Sequence, residues 1–190
     1  MKLIKKLFGI KQPANSVKRN ASEDNRPKDV PVNKSSWFLT HTESVAKEFD
    51  FLISEFGFKI LKNAFSGHEY WSIYAKEHIE IEIWGDPGDL PFVFVRNTQL
   101  PYDESKNPDN RLNVDDYNPT AYKIRLNWQK RRAPIQKKFM DEWLNNDNLD
   151  LSELNNDYEK QGKAEHKAYL KEAGKTVREI IQKHFAKQSD

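Results

Sequence analysis

Hydrophobic residues first repeat at helical spacing in residues 45–56. The apolar positions of this segment are Val45, Phe49, Leu52, Ile53 and Phe56. They share one helical face, and Gly57 follows where a left-handed residue commonly ends a helix. Thr40 with Glu43 three positions later is typical of a capping box, and Thr42 is a competing cap. The pattern predicts an amphipathic helix at the start of the folded part.

A period of two then replaces the helical period. Runs rich in aromatic and β-branched residues lie at 58–65, 69–75, 78–84 and 91–96. In the third run one face carries Ile79, Ile81 and Ile83, and the other carries His78, Glu80, Glu82 and Trp84. Short connections favour an antiparallel meander. One face should pack on the first helix, and the other should be partly exposed to solvent.

The second half of the sequence is more ambiguous. A polar loop covers roughly residues 98–118. Residues 121–128 alternate with Tyr122, Ile124, Leu126 and Trp128 on one side, which favours a strand or extended segment, although Pro119-Thr120 could also begin a helix. Pro134 suits the first turn of a helix that ends near Asn145. Asp150 with Glu153 can cap a last helix, whose stripe is Tyr169, Leu170, Ala173, Val177, Ile180, Ile181 and Phe185.

These patterns together predict one α+β domain over residues 36–188. Its N-terminal helix packs on an antiparallel β-meander of four or five strands, and C-terminal helices follow. Residues 11–35 contain almost no large apolar side chain, so we expect a disordered linker. Residues 1–10 form a short basic amphipathic segment that could make weak peripheral contact with a membrane. The register of the strands and the oligomeric state stay open at this point.

Composition and charge restrict the classes of function. The chain has no cysteine, which excludes disulfides and thiolate chemistry and fits the cytoplasm. No apolar run has the length of a membrane span, and the N-terminus lacks the apolar core of a secretory signal. Residues 1–34 hold nine basic and three acidic residues of the chain's 31 and 29, which leaves 22 basic and 26 acidic residues in the body. The predicted domain is therefore mildly acidic.

The charged residues of the third predicted strand are the first candidates for a functional site. His78, Glu80 and Glu82 on one strand face could converge on a cation, but charged residues are also what a solvated sheet face normally carries. No glycine-rich phosphate loop, nucleophile elbow or zinc-binding helix motif occurs. We therefore expect no catalytic residues, no metal and no cofactor. With Asp86, these three residues are instead predicted to bind another protein through complementary charge.

A basic stretch offers an alternative function. Residues 121–138 hold seven basic residues and no acidic ones, and residues 141–159 hold seven acidic residues and no basic ones. Lys130, Arg131, Arg132, Lys137 and Lys138 could bind nucleic acid through its phosphates. The basic and acidic stretches could equally pair with each other within the fold.

Residues 43–97 resemble a group of small uncharacterised bacterial α+β proteins. The shared features are the capped helix ending in Phe56-Gly57-Phe58, the Tyr-rich strand, the Ile-Glu-Ile-Glu-Ile strand and the run Phe92-Val93-Phe94-Val95. Some of these proteins are similar to immunity proteins of toxin–immunity systems. The resemblance implies a non-enzymatic inhibitor of a toxin domain and transfers no catalytic residues.

Overall fold

The computed structural model describes residues 36–66, 69–85, 89–99, 111–145 and 152–186. The helices are α1 (Ser36–Glu48), α2 (Phe51–Ser54), α3 (Pro119–Asn145), α4 (Ser152–Asp157) and α5 (Lys163–Ala186). The strands are β1 (Lys59–Ser66), β2 (Glu69–Lys76), β3 (Ile79–Gly85), β4 (Phe92–Asn97) and β5 (Arg111–Asn113). A 3₁₀ turn (Val114–Asp116) precedes α3, and a π turn (Tyr158–Gly162) joins α4 to α5. The predicted α+β class is confirmed. Residues 1–35, which include both predicted N-terminal segments, and Asp150 lie outside the described residues.

The five strands form one antiparallel sheet in the order β1-β2-β3-β4-β5. The register places Ile81 of β3 between Tyr74 of β2 and Val95 of β4. β5 lies within the predicted polar loop, where the pairing of Val95 with Leu112 adds it to the sheet edge. Three residues are too few to show a period of two, so the alternation pattern could not predict this strand.

The N-terminal helix begins earlier than its sequence predicts. The backbone is helical from Ser36, so the predicted caps at Thr40 and Thr42 are wrong: both residues lie inside α1. A turn at residues 49–50 separates α1 from α2. Gly57 has the predicted left-handed conformation, with φ of 69°, and its N–H donates to the carbonyl of Ile53 at 3.2 Å. The side chain of Ile53 is 42% exposed, so the predicted apolar face is narrower than expected.

Residues 121–128 are helical, which corrects the favoured strand. Asn118 caps α3, because its side-chain oxygen accepts hydrogen bonds from the N–H groups of Thr120 (3.0 Å) and Ala121 (2.9 Å). Pro119 occupies the first turn, where its missing N–H costs nothing. Pro134 lies inside this helix and does not begin a second one. The helix ends at Asn145, as predicted.

One hydrophobic core joins helical residues to one face of the sheet. Apolar residues of the helices join the sheet residues Tyr70, Tyr74, Ile79, Ile81, Ile83, Val93, Val95 and Leu112 in one core cluster. Val45 and Leu52 come from the N-terminal helices and Phe49 from the turn between them, and the last helix contributes the predicted stripe from Tyr169 to Ile181. None of the helices in the described part of the chain is long and apolar enough to cross a membrane.

A buried arginine joins the sheet to the helices. Arg125 of α3 pairs with Asp115 and donates to the carbonyls of Leu90 (2.8 Å) and Pro91 (2.7 Å) and to the hydroxyl of Tyr169 (2.7 Å). The Tyr169 hydroxyl donates in turn to Asp115 at 2.9 Å. Burial lowers the pKa of Arg125, but Tyr169 and Asp115 raise it by more. This network therefore keeps the guanidinium charged in the protein interior.

Candidate functional site

The sheet has a second face, opposite the helix-covered core. We call it the outer face. Side chains alternate along each strand, so the residues between the core residues point to the outer face. Across β2, β3 and β4 they form three rows: Trp71–Trp84–Phe92, Ile73–Glu82–Phe94 and Ala75–Glu80–Arg96. None of these side chains belongs to the core cluster. Trp71, Trp84 and Phe92 are half-buried on this face, whereas Ile73, Glu80 and Phe94 are at most 8% exposed.

Aromatic rings on the outer face form a continuous stack. The ring centroids of Trp71 and Trp84 are 6.4 Å apart, those of Trp84 and Phe92 5.3 Å, and those of Phe92 and Phe94 6.1 Å. The interplanar angles along this series are 34°, 21° and 15°. We call these four rings the aromatic column. The register makes these rings neighbours. Trp71 and Trp84 form one cross-strand pair, Trp84 and Phe92 form another, and Phe92 and Phe94 lie two residues apart on β4.

Two guanidinium groups contact rings of the aromatic column, one at its end and one at an inner ring. The guanidinium of Arg111 lies 3.3 Å from the ring centroid of Phe94, and that of Arg125 lies 4.2 Å from the centroid of Phe92. Trp84 and Phe92 are stacked on each other at a centroid distance of 5.3 Å. A nucleic-acid base needs an accessible ring face for stacking, and this contact removes one face of each ring.

The predicted partner-binding residues are only partly brought together. Glu82 lies on the outer face beside the aromatic column, and it is half-buried. Glu80 is 7% exposed, and its carboxylate lies 3.6 Å from the guanidinium of Arg96. His78 lies in the turn before β3, where its ring packs edge-on against His184 with centroids 5.1 Å apart. Asp86 lies outside the described residues. The charge expected from Glu80 is therefore largely neutralised within the fold.

The basic stretch pairs with acidic residues of the fold. Arg131 pairs with Asp157 and Glu165, and Arg132 lies 3.6 Å from Asp157. Lys138 pairs with Glu153 at 2.6 Å. Arg132 is 1% exposed, so it is inaccessible to a nucleic acid. Lys130 and Lys137 are exposed and make no ion pair among the described residues. The predicted nucleic-acid site is thereby reduced to three exposed lysines, and one of them, Lys138, is already paired with Glu153.

A second group of buried polar residues surrounds the π turn. Trp128, Arg132, Tyr158 and His166 are each at most 1% exposed. Burial lowers the pKa of His166 to about 3. Burial also raises the pKa of Tyr158 to about 12, with Glu159 adding to the shift and Arg132 opposing it. These side chains are shielded from solvent, which fits a structural role. The sequence analysis missed this group because its residues lie far apart along the chain.

The outer face is the site that the described residues support best. Within residues 36–66, 69–85, 89–99, 111–145 and 152–186, no group of three His, Cys, Asp or Glu side chains could hold a metal ion. The chain matches no protein-family model, no curated protein and no solved structure. Its function therefore has to be inferred from the geometry of the outer face.

Proposed function

We propose that this protein is a non-enzymatic protein-binding module whose outer face contacts the partner. The observation that carries the proposal is the half-buried aromatic column on the sheet face opposite the helices. Tryptophan is enriched at the energetic centres of protein interfaces, because it buries a large apolar area with little loss of conformational freedom. A rigid stack loses still less on binding, since its rings already hold one another in place.

The stacking geometry favours a protein over a nucleic acid. The inner rings Trp84 and Phe92 stack on each other, so each has one face covered by the other ring. Ring edges pack well against apolar side chains, whereas bases stack on ring faces.

The resemblance to immunity proteins gives this proposal its finer form. An immunity-type inhibitor would cover the active site of a toxin domain with its outer face, in the cytoplasm of a bacterium. Such a partner is commonly bound by a preformed surface with little backbone change. An antiparallel sheet with a preordered ring stack supplies a surface of that kind.

The experiment is affinity purification of the tagged full chain from its native host, once with and once without nuclease treatment. We expect one stoichiometric protein partner with the wild type. Trp84→Ala should lose it, because this ring is the centre of the column. Tyr122→Ala is the matched control, since Tyr122 is an aromatic residue of α3 that is 49% exposed and does not belong to the aromatic column. Equal recovery by both variants would contradict the proposal, and recovery of nucleic acid that depends on Lys130 and Lys137 would favour the alternative.

A further inference from the structure

Exposed aliphatic side chains are concentrated at one edge of the sheet. In the described part of the chain, three of the four exposed large hydrophobic residues fall within residues 53–61: Ile53 is 42% exposed, Ile60 50% and Leu61 55%. Ile60 and Leu61 lie on β1, which is an edge strand because β2 is its only neighbour in the described sheet. The N–H of Gly57 donates to the carbonyl of Ile53, and the three residues from Gly57 to Ile60 span at most about 10 Å, so Ile53 lies close by. We call these three side chains the edge patch.

A β-bulge accompanies the exposure of the two aliphatic residues on β1. The register with β2 shifts between Ile60 and Lys62, so Leu61 has no partner residue on β2. Alternation in a regular strand would direct one of two consecutive side chains to the core. A bulge re-aims side chains, and here both Ile60 and Leu61 are at least half exposed.

Basic residues predominate around the edge patch. Lys59 and Lys62 directly flank the two aliphatic residues in the sequence, and Lys59 is exposed. Glu55 pairs with Arg178, and Lys76 donates to the carbonyl of Phe56 at 2.8 Å, which places both cations at this end of the sheet. The acidic residues Asp50 and Glu55 are thus outnumbered by four basic residues: Lys59, Lys62, Lys76 and Arg178. Aliphatic side chains among lysines suit an anionic lipid surface, because the former insert between acyl chains and the latter attract the phosphates.

We infer that the edge patch and residues 1–10 together dock the protein on an anionic membrane surface. Residues 1–10 carry the same combination in their sequence, with Leu3, Ile4, Leu7 and Phe8 among Lys2, Lys5 and Lys6. One weak signal gives only marginal, reversible membrane binding, and stable attachment takes two. The edge patch supplies the second signal on the folded domain.

This inference goes beyond the proposed function and does not depend on it. The edge patch belongs to α2 and β1, whereas the aromatic column belongs to β2, β3 and β4. Membrane contact and partner binding therefore use different parts of the molecule. Partner capture should be the same for the wild type and for a variant that lacks the edge patch.

The first test is co-sedimentation of the full chain with vesicles made of equal parts phosphatidylglycerol and phosphatidylcholine. We expect binding at low salt, and little binding to vesicles of phosphatidylcholine alone. The double variant Ile60→Gln/Leu61→Gln should bind at least tenfold more weakly, because the apolar area that inserts is lost. Lys59→Gln should bind about fivefold more weakly, the contribution of one lysine near an anionic surface. The controls Tyr122→Gln, 49% exposed on α3, and Lys130→Gln, also exposed on α3, should bind as the wild type does.

A second test measures insertion directly. The chain has no cysteine, so Leu61→Cys provides a single attachment site for an environment-sensitive dye. The emission of this dye should shift to shorter wavelength when anionic vesicles are added. The same dye at Tyr122→Cys should not shift.

Three results would overturn the inference. One is wild-type vesicle binding by an Ile60→Gln/Leu61→Gln variant whose circular dichroism spectrum is unchanged. Another is a dye at residue 61 that stays in water while the protein sediments with the vesicles. The third is a dimer in sedimentation velocity that the double variant loses, without vesicle binding by the wild type, which would assign the edge patch to a second copy of the chain.

Discussion

Replacement of Arg125 by methionine should destabilise this protein strongly. Methionine keeps much of the length of the side chain and removes its donors. The carboxylate of Asp115, 6% exposed, would lose its ion pair, and the carbonyls of Leu90 and Pro91 would lose their donors. Breaking a buried pair by removing one partner costs about 3–5 kcal/mol, since the remaining charge stays buried.

Urea unfolding followed by circular dichroism measures this cost. With a slope of about 2 kcal/mol per M, a loss of 4 kcal/mol lowers the midpoint by about 2 M. Arg178→Met is the control: Arg178 pairs with Glu55 at the surface, where the two side chains are 35% and 51% exposed, and such a pair contributes about 1 kcal/mol or less.

A double-mutant cycle tests the reasoning behind the magnitude. Asp115→Leu in the Arg125→Met background removes the stranded carboxylate, so the double variant should be less destabilised than the sum of the single variants by about 1–3 kcal/mol. A cost for Arg125→Met no larger than that of Arg178→Met would refute the account of a buried ionic network. Additive single effects would refute the direct coupling of the two charges.

Further predictions concern the buried polar group, two glycines and a helix cap. The unfolded chain takes up a proton at His166 near pH 6.5, and the folded chain does so only near pH 3. The free energy of unfolding should therefore be full above pH 6.5 and fall by about 1.4 kcal/mol per pH unit between these two values. Urea titrations at several pH values should show a weaker pH dependence for His166→Leu, and the same pH dependence for the variant and the wild type would contradict the assignment. Gly162→Ala should lower stability by about 1–3 kcal/mol, because its Cβ would lie 3.0–3.1 Å from the Tyr158 and Trp128 rings. Gly174→Ala should instead be neutral or stabilising by up to about 1 kcal/mol, since the nearest atom is 3.4 Å away and alanine favours a helix; thermal melts that rank the two glycine variants in the opposite order would refute this. Asn118→Ala should lose about 1–2 kcal/mol by removing the cap of α3, and an unchanged melting temperature would show that the cap is dispensable.

Alternation along β3 was sufficient to predict which residues face the core. Ile79, Ile81 and Ile83 are each at most 1% exposed. It could not predict the neighbours of Glu80 and Glu82 on the other face, because these depend on the register with β4. That register gives Arg96 to Glu80 and Phe94 to Glu82. A face predicted to be acidic therefore carries four aromatic rings and a paired arginine beside its carboxylates.

The helix at residues 119–145 shows a different limit. Ala121, Arg125, Trp128 and Arg132 form its buried face at helical spacing. Two of these four residues are arginines, which are normally exposed, so the helical period of apolar residues is interrupted. The alternation of apolar residues from Tyr122 to Trp128 then becomes the stronger pattern. Their burial depends on Asp115 and Asp157, and neither contact can be inferred from local sequence. The aromatic column required the same kind of long-range information.

The most direct test of the protein-binding function is the affinity of the purified partner for three forms of the full chain, measured by calorimetry. We expect Trp84→Ala to weaken binding at least tenfold, as for a residue at the centre of an interface, and Tyr122→Ala to bind as the wild type does. Both variants should first show an unchanged circular dichroism spectrum. Wild-type affinity for a folded Trp84→Ala variant would contradict the assignment of the outer face as the binding surface.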